Sequence, residues 1–204
     1  MKEGRGSAMI ALGIIALAFL LLFTRGCTLF ETREPEPPSQ TSSGFRPPIG
    51  ADIVITNLQS AIEQKNLQNY TSCFSNPARS PRGFTFVATT QARAQYSILD
   101  SWDYDKEQAY MNNLISRKAP NGFSSLLLIQ KSQFSSSDSV VLAYDYIFTF
   151  EHNDPGFPNS TGTGELQFTI APDNASFWYI HRWVDIPTTS SITWSSFKGW
   201  FSPQ

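Results

Sequence analysis

The stretch Phe177–Pro187, FWYIHRWVDIP, places a histidine, an arginine and an aspartate within five residues. These types could supply an acid/base group, a guanidinium that holds an anion, and a carboxylate base. The surrounding residues are apolar and aromatic, so the stretch reads as a strand, and strand side chains alternate between two faces. Trp178, Ile180, Arg182, Val184 and Ile186 then share one face; Phe177, Tyr179, His181, Trp183 and Asp185 share the other. His181 and Asp185 point the same way but lie about 13 Å apart along the strand, too far for a hydrogen-bonded dyad.

Arg182 is the only charge on its face, and Asp145 is the only charge on the Val141–Thr149 face of the long preceding strand. If both faces line one concavity, pairing is the low-cost arrangement, because a lone buried charge is expensive. The candidate pocket is therefore Asp145, Arg182, Trp178 and Ile180, with Arg182 holding an anionic group, bidentately for a carboxylate. The alternatives are a structural ion pair or an arginine at a sheet edge. His181, Asp185 and Tyr144 are secondary candidates; for His181, packing between Tyr179 and Trp183 competes with an acid/base role. His152 is the only other histidine and no HxH or HxxxH spacing exists, so no metal site is expected. Asp100, Asp103 and Asp105 cluster around Trp102, but helix capping accounts for Asp103 and Asp105. No G-x-S-x-G is present. No catalytic residue is assigned and no cofactor is expected.

The elements that must position these residues follow from pattern. With 204 residues, 41% hydrophobic and 16% charged, the chain can bury one good-sized core. A net charge of −2 without a basic stripe argues against nucleic-acid binding. Ala51–Phe74 reads as two helices broken at Lys65-Asn66, closed by Asn76-Pro77. Cys73 lies there between Tyr70 and Phe74 and reads as a small buried hydrophobe rather than a disulfide partner of Cys27. Gly83–Ala88 is a short strand. Asp105 and Gln108 have capping-box spacing, ahead of a helix with Tyr110, Met111, Leu114 and Ile115 on its apolar stripe. The period then changes to two. Phe123–Phe134, Val140–Glu151, Glu165–Ile170 and Phe177–Ile186 are expected as an antiparallel meander, with 153–164 as a Pro/Gly/Asn-rich connection. Trp194, Phe197 and Phe201 share one face of a short final helix.

Lys2 and Arg5 precede the apolar run Ala8–Phe23, the pattern of an export signal. At 16 residues the run is shorter than the roughly 20 a spanning helix needs. Thr24-Arg25-Gly26-Cys27 puts a small residue directly before a cysteine. This resembles a bacterial lipoprotein signal, which implies that Cys27 is lipidated and becomes the first mature residue; the alternative is an uncleaved anchor. Either reading places the domain outside the cytoplasm, on the membrane of a bacterial cell envelope, periplasmic or at the surface. The expected division is an export segment at 1–26, a Pro/Ser-rich linker at 27–50, a domain at 51–187 and an aromatic tail at 188–204.

The order of broken helix pair, short strand, helix and four-stranded meander resembles the nuclear transport factor 2-like superfamily. The Ala61–Leu67 segment followed by Tyr70 and Phe74, and the Trp178/Ile180 start and Val184–Ile186 end of the last strand, carry the resemblance. It implies an α+β cone, a curved sheet wrapped around N-terminal helices, with a pocket at the wide end. It also implies a homodimer through the open sheet face. The superfamily includes enzymes, such as ketosteroid isomerase and scytalone dehydratase, and non-catalytic binding domains, so fold does not decide function. The expectation is a non-catalytic domain that binds a small ligand or a protein; a small isomerase, dehydratase or hydrolase, and a purely structural lipoprotein, are the alternatives.

Overall fold

The computed structural model describes residues 44–203. The export segment, Cys27 and residues 28–43 of the expected linker lie outside them. Residues 44–50, also expected as linker, are packed on the domain. Phe45 rests against the core, Pro48 is buried, and the Pro48 carbonyl accepts from Trp178 N at 2.7 Å. Asn57 bonds both the N–H and the carbonyl of Arg46, which a proline-rich extended segment leaves unpaired.

Helix α1 (Ala51–Glu63) buries Val54, Ile55, Leu58, Ala61 and Ile62, the helical-period stripe of its sequence. It stops at Lys65, whose φ of 52° is left-handed, and Asn66 caps α2 (Leu67–Thr71) by accepting from Asn69 N at 3.0 Å. Strand β1 (Thr85–Val87) follows, then α3 (Thr90–Gln95) and a 3₁₀ turn at Ser97–Asp100. Helix α4 (Tyr104–Ser116) is capped by Asp103, which accepts from Lys106 N at 3.0 Å. Asp105, expected at the cap, sits in the first turn instead, where a carboxylate favours the helix dipole.

Strands β2 (Ser124–Ser135), β3 (Val140–Phe150), β4 (Thr161–Pro172) and β5 (Trp178–Ile186) form the expected antiparallel meander. The edge strand β1 lies parallel to β5, so the five-stranded sheet is mixed, in the order β1-β5-β4-β3-β2. Strand β4 begins four residues before Glu165, because Thr161–Gly164 already pair with Tyr146–Thr149. Gly162 and Gly164 hide this start in the sequence. A side chain at Gly164 would meet the Ile186 carbonyl at 2.9 Å and the Tyr146 hydroxyl at 3.0 Å, so close packing requires glycine there.

The inner face of the sheet carries Leu142, Tyr144, Tyr146, Phe148 and Phe150 of β3 and Leu166, Phe168 and Ile170 of β4, all buried. Helix α5 (Trp194–Phe201) packs on this concavity, with Trp194, Phe197 and Phe201 fully buried. Trp194 stacks on Phe148 at 4.2 Å between ring centroids and meets Trp183 edge-on at 4.5 Å. The result is a cone whose interior is filled by aromatic rings. Among the described residues, no helix is long and apolar enough to cross a membrane.

Candidate functional site

Strand β5 does not alternate regularly. Ile170 pairs with Ile180, but the next residue of β4, Thr169, pairs with Arg182, so His181 is an extra residue in a β-bulge. The bulge shifts the phase of the strand. Ile180, Trp183 and Asp185 are buried, while Arg182 is exposed and Val184 and Ile186 are half-buried. The expected face of Trp178, Ile180 and Arg182 is therefore split at residue 181.

This breaks up the candidate pocket. Asp145 lies in the row Ile129–Asp145–Glu165–Ile186, on the outer face of the sheet. Arg182 lies in the row Phe134–Val141–Thr169–Arg182–Thr85. The rows are four residues apart, about 13 Å along the strands. The two residues do not pair. Asp145 instead faces Lys131 at 3.4 Å, and Lys131 also reaches Glu165 at 2.7 Å. Both charges face solvent, so nothing in their burial demands that they meet. Trp178 is half-buried and Ile180 is core; the Ile180 N–H donates to the Cys73 carbonyl at 2.9 Å. Tyr144 is buried, and burial raises its hydroxyl pKa. His181 is half-buried, and its Nε2 has no hydrogen-bond partner among the described residues. Burial, then the Arg82 charge, lowers its pKa. Cys73 is buried, its thiol donates to the Asn69 carbonyl at 3.3 Å, and burial raises its pKa.

The chemistry of the interior comes from other residues. Glu107, on the inner stripe of α4, is buried, and so is Lys198 of α5; the two form an ion pair through Oε2 and Nζ. Glu107 Oε2 also accepts from Trp102 Nε1 at 2.7 Å, and Oε1 accepts from the Tyr70 hydroxyl at 2.5 Å. Four rings surround the ammonium: Trp183 at 4.1 Å to the centroid, Phe86 at 4.3 Å, Tyr110 at 5.1 Å and Trp102 at 5.2 Å. All lie within the range over which a ring quadrupole attracts a cation. Burial nevertheless lowers the Lys198 pKa to about 8, and Glu107 is the main opposing influence.

Asp185, a secondary candidate like the buried Tyr144, is the second buried carboxylate. It accepts from the Tyr146 hydroxyl at 2.8 Å, from Ser195 N at 2.7 Å and from the Ser195 hydroxyl at 2.5 Å. Burial raises its pKa while these bonds oppose the rise. Tyr146 in turn accepts from Trp194 N at 2.7 Å, and Trp194 Nε1 donates to the Tyr110 hydroxyl at 3.0 Å. Asp185 thus holds the first turn of α5 and Glu107 holds its centre. No oxygen of either carboxylate is left without a donor. Clefts of about 470 Å³ and 520 Å³ flank α5 and share Tyr96, Ser202 and Pro203, but they open at the surface and do not include the buried pair. No group of three His, Cys, Asp or Glu side chains among the described residues is placed to hold a metal ion.

No family model matches the chain, and no curated protein matches it. Solved structures do resemble it. One is a putative aromatic ring hydroxylase from Novosphingobium aromaticivorans, at 11% identity and a TM-score of 0.52, covering 74% of this chain and 96% of that one. A conserved protein from Planctomyces limnophilus aligns at 8% identity with a TM-score of 0.51, covering 66% and 90%. A nuclear transport factor 2-like superfamily protein from Salmonella enterica aligns at 14% identity with a TM-score of 0.49, covering 68% and 89%. At such identities the likeness is one of fold. The fold is the α+β arrangement of a curved sheet over helices that the sequence resemblance implies.

Proposed function

We propose that this chain is an exported, membrane-anchored, non-catalytic domain that binds protein through the outer face of β2 and β3. The anchor in this reading is lipidated Cys27 or the apolar segment 8–23, at a bacterial envelope. The observation that carries the reading is a pair of opposite properties. The interior is filled by α5, whereas Leu127 and Ile147, direct cross-strand partners on the outer face, are 51% and 42% exposed, and Ile129 beside them is 59% exposed. Phe134 continues the same face past a register shift in β2. Side chains of this size left in water on one face favour a partner surface. A small-ligand pocket or an acid/base site needs open space beside Glu107 or Asp185, and both are enclosed by donors from α5 and its neighbours.

A second copy of this chain is the simplest partner, paired face to face across the two sheets. Sedimentation velocity of the detergent-solubilised full chain at micromolar concentration tests this. The wild type is expected as a dimer and Ile129→Asp/Ile147→Asp as a monomer; a monomeric wild type overturns the pairing. For the anchor, mass spectrometry of the membrane fraction is expected to find acyl chains on Cys27, and an intact N-terminus overturns lipidation.

A further inference from the structure

We propose that the centre of the cone is an ammonium-recognition site, for a primary amine on a slim alkyl stem, and that Lys198 is its tethered occupant. The inference goes beyond binding at the outer sheet face and does not depend on it. It starts from the composition of the site. Phe86, Trp102, Tyr110 and Trp183 come from β1, the segment before α4, α4 itself and β5, and their rings all face one nitrogen. A buried Lys–Glu pair needs no such box for its charge balance, since Glu107 alone supplies the counter-charge. Aromatic walls with one carboxylate are the recognition chemistry of organic ammonium ions. The indole Nε1 of Trp183 is buried without an acceptor among the described residues. An ammonium offers no acceptor, so this donor takes no part in the recognition, which rests on the ring faces and Glu107.

The geometry also sets the ligand class. Lys198 enters on an unbranched four-carbon stem, and Glu107 Oε2 accepts one of its N–H groups. A quaternary ammonium would lose that bond. A neutral alcohol of the same shape would lose both the attraction of the rings and the ion pair. Helix α5 delivers the lysine and anchors itself separately through Trp194, Phe197 and Phe201, each fully buried. A tethered lysine held by three aromatic anchors outcompetes a free amine, so the wild type takes none up. Trimming the lysine while keeping the anchors exposes the site's own preference.

The test is thermal unfolding of the full chain carrying Lys198→Ala, with n-butylammonium, n-butanol or tetramethylammonium added. n-Butylammonium is expected to raise Tm saturably, by about 5 °C, with the other two giving less than a third of that. In Lys198→Ala/Glu107→Gln the advantage over butanol is expected to vanish, and the wild type is expected not to respond. If Lys198→Ala does not fold alone, n-butylammonium during refolding is expected to recover it. Equal effects of butanol and butylammonium would mean simple cavity filling and overturn the proposal. So would an amine response that survives loss of the Glu107 charge, a wild type that responds like the variant, or a variant that the amine neither stabilises nor recovers.

Discussion

Lys198 Nζ and Glu107 Oε2 form an ion pair from which water is excluded, with side-chain exposures of 0% and 1%. The two residues come from α5 and α4, and the pair ties the last described helix to the centre of the cone. Two desolvated charges hold each other at high cost, so the consequence of removing one depends on the other. Lys198→Met leaves Glu107 buried with Tyr70 and Trp102 as its remaining donors. The expected loss is about 3–5 kcal/mol. Lys198→Met/Glu107→Gln removes the charge altogether and is expected to come within about 2 kcal/mol of the wild type. Chemical denaturation of the four members of the double-mutant cycle measures the coupling. Additive losses would show that the two charges do not act as a unit.

The same pair sets a pH dependence. Burial holds the Lys198 pKa near 8 in the folded chain, against an ordinary value of 10.5. Between those values the unfolded chain binds the lysine proton and the folded chain has released it, so the unfolded state carries more protons and stability rises with pH. Tyr70, Tyr110 and Tyr146 act in the opposite sense higher up. Burial, which is the first cause in each case, raises their pKa well above 10, so the folded chain keeps protons that the unfolded chain releases, and stability falls above pH 10. The denaturation midpoint is therefore expected to climb from pH 8 to a maximum near pH 10. In Lys198→Met/Glu107→Gln the climb is expected to disappear. A wild-type midpoint that is flat or falling from pH 8 to 10 would contradict this assignment.

The meander and the broken helix pair were legible because they depend on period, and period is local. The stripe of α1 and the alternation of β3 survive folding almost residue for residue. The interior site was not legible, although each of its members stood on a visible pattern. Glu107 falls three and four residues before Tyr110 and Met111 and seven before Leu114, the stripe that α4 buries. Lys198 falls four residues after Trp194 and three before Phe201, on the stripe that α5 buries. One charge on each of two otherwise apolar helix faces is the signal that they meet. Read within one helix at a time, neither charge points to its partner on the other. The Asp145–Arg182 pairing failed for a different reason. Both residues face outward, but in rows four residues apart. The register that sets those rows, like the bulge at His181 that splits Arg182 from Ile180, is a relation between two strands that one strand's sequence does not contain.

That bulge makes a prediction that ordinary strand logic would reverse. Deleting one residue from a strand normally turns every later side chain to the opposite face. Here His181 is the surplus residue. With it gone, Ile180 and Arg182 become neighbours that match Ile170 and Thr169 of β4 without a shift. Ile180, Trp183 and Asp185 then stay inside, and Arg182 stays outside. What is lost is the local bend and the half-buried packing of the imidazole, about 1–2 kcal/mol. Deleting Val184 instead has no surplus residue to absorb it. It turns Asp185 outward and takes the carboxylate away from Tyr146 and Ser195, whose buried donors are then left unpaired. The deletion of His181 is therefore expected to give folded protein with near-wild-type aromatic circular dichroism, and the deletion of Val184 to abolish folding. If removing His181 is as damaging as removing Val184, the bulge is needed for the curvature of the cone and the phase-shift account of β5 is wrong.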